Sequence, residues 1–127
     1  MIVIDASAAV LGLMNDGEAR AMLATEAAIC PHLADSEVVH AFRGQVLRGA
    51  LDVGAAERMI HVWRRLGIER LGVSGLLGRV WQLRENLSAY DATYVALAEA
   101  LESPLVTADG RLARAPGPQC TITVVRR

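Results

Sequence analysis

The chain has 127 residues, a formal net charge of −1, 53% hydrophobic residues and only 4% aromatics, which suits one domain with an aliphatic, alanine-rich core and excludes a disordered chain. All 13 basic residues are arginine, so chemistry that needs a lysine is excluded: P-loop phosphate binding, Schiff-base catalysis and receiver-type phosphotransfer. A charge so near zero exerts no global pull on nucleic acid or acidic membranes, although setting four clustered acids aside would leave the remainder basic.

The opening run Ile2-Val3-Ile4 is wholly apolar and ends at Asp5. Such a run predicts a strand buried on both faces, hence a central strand of a parallel sheet. Asp5 then stands at its carboxyl end, where open α/β sheets bind their ligands. No basic segment precedes the run and Asp5 interrupts it, so no signal peptide is expected. No apolar stretch approaches the roughly 20 residues needed to span a bilayer, and the expected location is the cytoplasm.

Helices are predicted over residues 7–14 and 17–27, separated by the turn Asn15-Asp16-Gly17. Residues 28–30 form a brief strand stopped by Pro31. From Asp35 onward, Val38, Val39, Phe42, Val46 and Leu47 recur at helical spacing until Gly49. A second helix over residues 53–66 carries Ala56, Met59, Ile60 and Trp63 on one face. The two make an αα-hairpin with more apolar surface than one core face needs, which leaves a face for a dimer or partner.

Residues 68–71 read as a half-charged edge strand. Residues 73–85 read as a helix burying Leu76, Leu77, Val80, Trp81 and Leu83. Residues 88–101 give the strongest helical pattern, alanine-rich and periodic through Tyr94, Val95, Leu97, Ala98 and Leu101. A strand over 104–107 exits into Ala108-Asp109-Gly110, a one-turn helix covers 111–114, and 121–125 closes the chain as a strand. The order β-α-α-β-α-α-β-α-α-β-α-β predicts an α/β fold: a single domain over 1–127, three layers α/β/α, with a central parallel sheet of about five strands. Cys30 and Cys120 lie far apart, show no metal-ligand spacing, and read as two free, buried thiols.

Four acids occupy matched settings. Asp5 and Asp109 follow strands; Glu37 and Asp91 stand in the first turns of helices. A right-handed parallel sheet sends strand C-termini and the following helix N-termini to one edge. Each acid also has an ordinary reading. Asp5 and Asp109 suit N-caps, Ser88-Ala89-Tyr90-Asp91 suits a capping box, and Glu37 suits the helix dipole. Four carboxylates converging without a counter-ion would repel one another and raise their own pKa values. A divalent cation answers that repulsion. Carboxylate oxygens without His or Cys favour Mg²⁺ or Mn²⁺ over zinc, and the chemistry this suggests is metal-assisted phosphodiester hydrolysis. Ser7 and Thr107, each two residues from an aspartate, could orient a carboxylate as supporting hydroxyls.

Four segments in register carry a resemblance over essentially the whole chain: Ile2-Val3-Ile4-Asp5-Ala6-Ser7, Asp35-Ser36-Glu37-Val38, the run Tyr90-Asp91-Ala92-Thr93-Tyr94-Val95-Ala96-Leu97-Ala98, and Leu105-Val106-Thr107-Ala108-Asp109-Gly110-Arg111-Leu112. They resemble the PIN domain and, more narrowly, the VapC toxins of bacterial toxin–antitoxin pairs. The resemblance implies a Mg²⁺/Mn²⁺-dependent endoribonuclease, usually a homodimer, held inactive by a cognate antitoxin. It implies Asp5, Glu37, Asp91 and Asp109 as the metal-site acids and Thr107 as the supporting hydroxyl, with Ser7 matching the serine after the first aspartate. The hairpin over 38–66 is the expected antitoxin interface.

Arg43, Arg84 and Arg111 are candidates for clamping RNA phosphates, beside the ordinary reading of surface arginines. With so few aromatics, base stacking falls to Tyr90, Tyr94 or arginine planes. His32, His40 and His61 share no motif and read as packing or surface residues. Competing enzyme classes fit poorly: a haloacid-type hydrolase wants D-x-D and a lysine, and a metal-dependent adhesion module wants D-x-S-x-S, whereas position 9 is Ala. The remaining alternative is a catalytically silent PIN-like module that binds RNA or protein.

Overall fold

The apolar run at the N-terminus becomes the middle of the sheet. In the computed structural model, which describes residues 1–127, the strands are β1 (Ile2–Ile4), β2 (Ala28–Pro31), β3 (Glu69–Leu71), β4 (Leu105–Thr107) and β5 (Ile122–Val124). They form one parallel sheet in the order β3-β2-β1-β4-β5. β1 pairs with β2 through Ile2↔Ala28 and with β4 through Ile4↔Val106. A strand laddered on both sides and covered on both faces meets no water, which is why every residue of β1 is apolar. β1, β2 and β4 are buried throughout, whereas the edge strands β3 and β5 are not.

The helices are α1 (Ala6–Met14), α2 (Glu18–Thr25), α3 (Leu33–Leu47), α4 (Val53–Arg65), α5 (Leu77–Gln82), α6 (Ala89–Ala100) and α7 (Gly110–Arg114). Right-handed crossovers fix their layers. The chain steps outward from β1 to β2 to β3, so α1–α4 cover one face. It then returns through α5 and α6 to β4, so these and α7 cover the other. α1 accordingly packs on α2, α3 and α4, while α6 packs on β1, β2 and β4 with α5 beside it. This reversal places the topological switch point between β1 and β4. The core is largely aliphatic as composition implies, with Phe42, Trp63 and Tyr94 as its largest members.

A polar clamp ties three elements together at the edge of this core. Trp63 Nε1 on α4 donates to Asp35 Oδ1 in the first turn of α3 at 2.7 Å. Arg70 of β3 donates to the same carboxylate at 2.9 Å and lies over the Trp63 ring, 5.1 Å from its centroid. Asp35 is held below the usual carboxylate range, first by the Arg70 hydrogen bonds and then by Trp63.

The structure corrects several expectations. α3 starts at Leu33, two residues before the apolar pattern becomes visible, so Asp35 rather than Glu37 occupies the first turn and Glu37 falls in the second. Residues 73–85 do not form one helix: a 3₁₀ turn over Ser74–Leu76 leads into the six-residue α5. Gly72, Gly75 and Gly78 punctuate this stretch, and glycine's entropic cost shortens helices. Val80 and Leu83 are buried there, but Leu77 and Trp81 are 57% and 67% exposed, against the buried side read from their spacing. Cys30 and Cys120 are free as expected, but only Cys30 is fully buried. Burial pushes the Cys30 thiol up to about 11, so it is an inert core thiol. No helix is long and apolar enough to cross a membrane.

Candidate active site

β1 ends at Ile4 and α1 begins at Ala6, so the chain turns from strand to helix at Asp5 alone. Asp5 is the N-cap of α1 in extended conformation, and its Oδ1 accepts from Ala8 N at 2.9 Å. Ser7 Oγ donates to the same oxygen at 2.6 Å, and Thr107 Oγ1 donates to Oδ2 at 2.5 Å. Thr107, at the end of β4, also accepts from Asp109 N at 3.0 Å, and Ser7 Oγ accepts from Ala108 N at 2.9 Å. The two hydroxyls stand 3.2 Å apart. Together they stitch the exit of β1 to the exit of β4 across the switch point. Asp5 and Thr107 are both buried, and three donors leave part of the carboxylate's acceptor capacity free.

The other acids reach the same edge by different routes. Asp109 caps α7, accepting from Arg111 N at 2.9 Å, and it also takes the Arg111 guanidinium at 3.2 Å. Asp91 stands in the first turn of α6, where its N–H donates to Ser88 Oγ at 3.1 Å. Only that half of the expected capping box forms, because the Asp91 carboxylate is not turned back to the Ser88 amide. Glu37 Oε1 accepts from the Tyr94 hydroxyl at 2.6 Å. The capping reading therefore holds for Asp5 and Asp109, alongside any role in a site, and fails for the side chains of Asp91 and Glu37.

The carboxylates interact electrostatically. Burial raises Asp5 above the usual carboxylate range, its three hydrogen bonds oppose this, and the Asp91 charge adds to it. Burial likewise raises Glu37, with the charges of Asp5 and Asp91 contributing. Asp91 is raised by burial and then by Asp109. Asp109 alone is lowered, by its hydrogen bonds to Arg111. Arg111 is thus the one arginine bonded to any of the four acids, with the Arg114 charge adding its effect on Asp109.

This donor set, all oxygen and strongly negative, suits a hard divalent cation. As placed, no three of the acids are gathered tightly enough to close around one ion. Bare carboxylates repel, and Asp109 is turned onto Arg111 rather than toward its neighbours. Ion binding would require these side chains to rotate inward, chiefly Asp109 away from Arg111. All three histidines are exposed and none bonds to an acid of the group, although His40 lies near enough to Glu37 to act on its charge.

The candidate RNA contacts separate. Arg111 stands at the site, on Asp109. Arg84 instead lies over the exposed Trp81 ring, 4.7 Å from its centroid. Arg43 lines an apolar groove between α3 and α4, away from the acids. Tyr90 is exposed beside Asp91, but Tyr94 is buried and bonded to Glu37, so it offers no stacking face. The Tyr94–Glu37 bond escaped the sequence reading, although Tyr94 lies three residues after Asp91 and so on the same helix face. The Asp35–Trp63–Arg70 clamp had no local signal, since its members come from three elements.

Known proteins resemble this chain over most or all of its length. The PIN domain family matches residues 2–118. Ribonuclease VapC9 of Mycobacterium tuberculosis is 52% identical over 127 residues, covering 100% of both chains. Among solved structures, PAE2754 from Pyrobaculum aerophilum superposes with a TM-score of 0.72 at 26% identity, covering 97% of this chain and 83% of that one. VapBC2 from Rickettsia felis, solved bound to a DNA fragment from its promoter, shares the fold at a TM-score of 0.71 and 11% identity, covering 99% and 100%.

Proposed function

Because the chain belongs to the PIN-domain family and, within it, to the VapC ribonucleases, we infer that it is the RNA-cleaving toxin of a toxin–antitoxin pair. The observation that carries this reading is Asp5: a buried carboxylate at the switch point, fixed by Ser7 and Thr107, with Asp91 close enough to raise its pKa. The site acids are Asp5, Glu37, Asp91 and Asp109, and they hold Mg²⁺ or Mn²⁺. When bound, such an ion neutralises charge on the attacked phosphodiester and lowers the pKa of a water nucleophile. The protein's own contribution is placement. Ser7 and Thr107 keep Asp5 from rotating, so its carboxylate is already ordered before an ion or RNA arrives. Asp91 and Glu37 supply charge with no arginine bonded to either, although the Arg111 charge partly offsets that of Asp91. Arg111, released as Asp109 turns inward, is free to bond an RNA phosphate.

The cognate antitoxin docks on the α3–α4 hairpin, where Val39, Phe42, Val46, Leu47, Val53 and Ile60 line an apolar groove. Leu47 and Val53 are more than half exposed, and a face this apolar calls for a partner. The active species is a homodimer, and it acts in the cytoplasm, where its RNA substrates are.

The test is RNA cleavage by the purified, partner-free protein with Mg²⁺ or Mn²⁺, beside Asp5→Asn and a chelator lane, with structured stable RNAs among the substrates. Metal-dependent cutting absent from both controls is the expected result. Neither cutting nor ion binding would overturn the catalytic reading in favour of a silent binding module.

A further inference from the structure

Glu37 is held at the site by a single hydrogen bond. It projects from the second turn of α3, on the layer opposite α6, and its side chain has three rotatable bonds. The charges of Asp5 and Asp91 face it, His40 three residues along α3 is the one basic side chain acting on it, and no arginine pairs with it. A flexible carboxylate under repulsion from two others should swing into solvent. One bond opposes this: Tyr94 O–H to Glu37 Oε1 at 2.6 Å, the length of a charge-assisted hydrogen bond. Tyr94 is only 2% exposed, so its ring is anchored in the core while its hydroxyl reaches the sheet edge.

We propose that Tyr94 is a positioning residue for the site, holding Glu37 toward Asp5 and Asp91 so that it can serve as a ligand for the divalent cation. The proposal rests on the metal-site reading above. Tyr94 and Asp91 share a face of α6, so the bond fixes an acid from one helical layer relative to an acid from the other, across the end of the sheet. The choice of donor matters. An arginine would hold Glu37 as firmly but would cancel the charge a cation needs. A phenol donates one hydrogen bond, carries no charge, and leaves Oε2 without a partner. Phenylalanine would fill the same core space, so packing does not account for the hydroxyl.

The experiment measures Mn²⁺ binding to the full chain by calorimetry for wild type, Tyr94→Phe, Glu37→Gln and the double variant, with melting in chelator as the check on folding. Removing a partner that orients a metal ligand typically weakens binding about 10–100-fold, and Tyr94→Phe is expected in that range while melting as a folded protein. The double variant should bind no more weakly than Glu37→Gln alone, because Tyr94 acts only through Glu37. Wild-type affinity in Tyr94→Phe would overturn the proposal, as would an equal further loss in the Glu37→Gln background. Failure of Tyr94→Phe to fold would also overturn it, since a purely positioning hydroxyl leaves the ring to fill the core. Absence of Mn²⁺ binding by wild type would instead overturn the metal-site reading itself, and this proposal with it.

Discussion

Thr107→Val removes one atom's chemistry from the switch point and little else. Thr107 is fully buried in β4, and valine keeps its branched shape and suits a strand. The hydroxyl donates to the Asp5 carboxylate at 2.5 Å and accepts from Asp109 N at 3.0 Å. A hydrogen bond to a charged acceptor contributes about 1.5–3 kcal/mol, and a partly buried amide left without an acceptor costs about 1 kcal/mol more. Both effects share one oxygen and do not simply add, so about 3 kcal/mol is the expected loss. With an unfolding entropy of about 2.1 cal/mol/K per residue, 127 residues give about 0.27 kcal/mol/K and a fall in Tm of about 11 °C. The assay is thermal and urea unfolding by circular dichroism in chelator, so that no ion contributes. The hydroxyl also favours the charged form of Asp5. Its loss therefore raises that pKa further, and the deficit should be largest at neutral pH and shrink as Asp5 protonates. A fall below about 3 °C at neutral pH would show that Thr107 does not anchor Asp5.

Asp91→Asn should raise the metal-free Tm while weakening Mn²⁺ binding, because burial and the Asp109 charge outweigh what the carboxylate gains from Arg111 and the Ser88 hydroxyl; a lower Tm in chelator would refute the repulsion it is assigned. The stability of the metal-free protein should depend on pH in two opposed ways. Asp5, Glu37 and Asp91 have raised folded-state pKa values, so their stabilising contribution is full below the ordinary carboxylate range, about pH 4, and is lost as pH rises through the raised values. Asp35, Asp109 and Glu99 of α6, which accepts from Arg79 at 2.7 Å, are lowered, so their contribution is present above that range and lost as pH falls below it. Melts in chelator should therefore show a gain on mild acidification from neutral pH and a loss under stronger acid; a steady rise with pH from about 4 to 8 would contradict the raised set. Trp63→Phe gives up the bond to Asp35 and part of a buried ring, and urea unfolding should register a loss of about 2–4 kcal/mol; a loss under 1 kcal/mol would mean the clamp contributes little.

Much of this protein was legible because its strongest signals are local. Ile2-Val3-Ile4 needs no distant partner to declare itself a buried strand, and the alanine-rich periodicity through Tyr94 and Leu101 declares α6 in the same way. Once the element order is known, a right-handed parallel sheet sends Asp5, Glu37 and Asp109 to one edge without reference to any side-chain contact, and Asp91 joins them because the strand that follows α6 requires that helix to point the same way. The weaker readings failed where two local forces compete. Around α5 the apolar spacing argued for a long helix and three glycines argued against one, and the glycines prevailed. At α3 the missing turn was one with little apolar periodicity to reveal it.

What a given side chain touches was settled only in three dimensions. That Thr107 joins Ser7 in gripping Asp5 depends on β1 and β4 being neighbours, since Thr107 lies 100 or more positions from both in sequence. That Glu37 meets Tyr94 depends on how α3 and α6, on opposite layers, are rotated about their axes. That Arg111 bonds Asp109 and not Asp91 depends on side-chain rotations that no local pattern reveals. Hydrophobic periodicity determines which residues are buried and in which element, because burial averages over a whole face. Hydrogen bonds and ion pairs depend on tenths of an ångström between distant segments, and only the folded chain sets those distances.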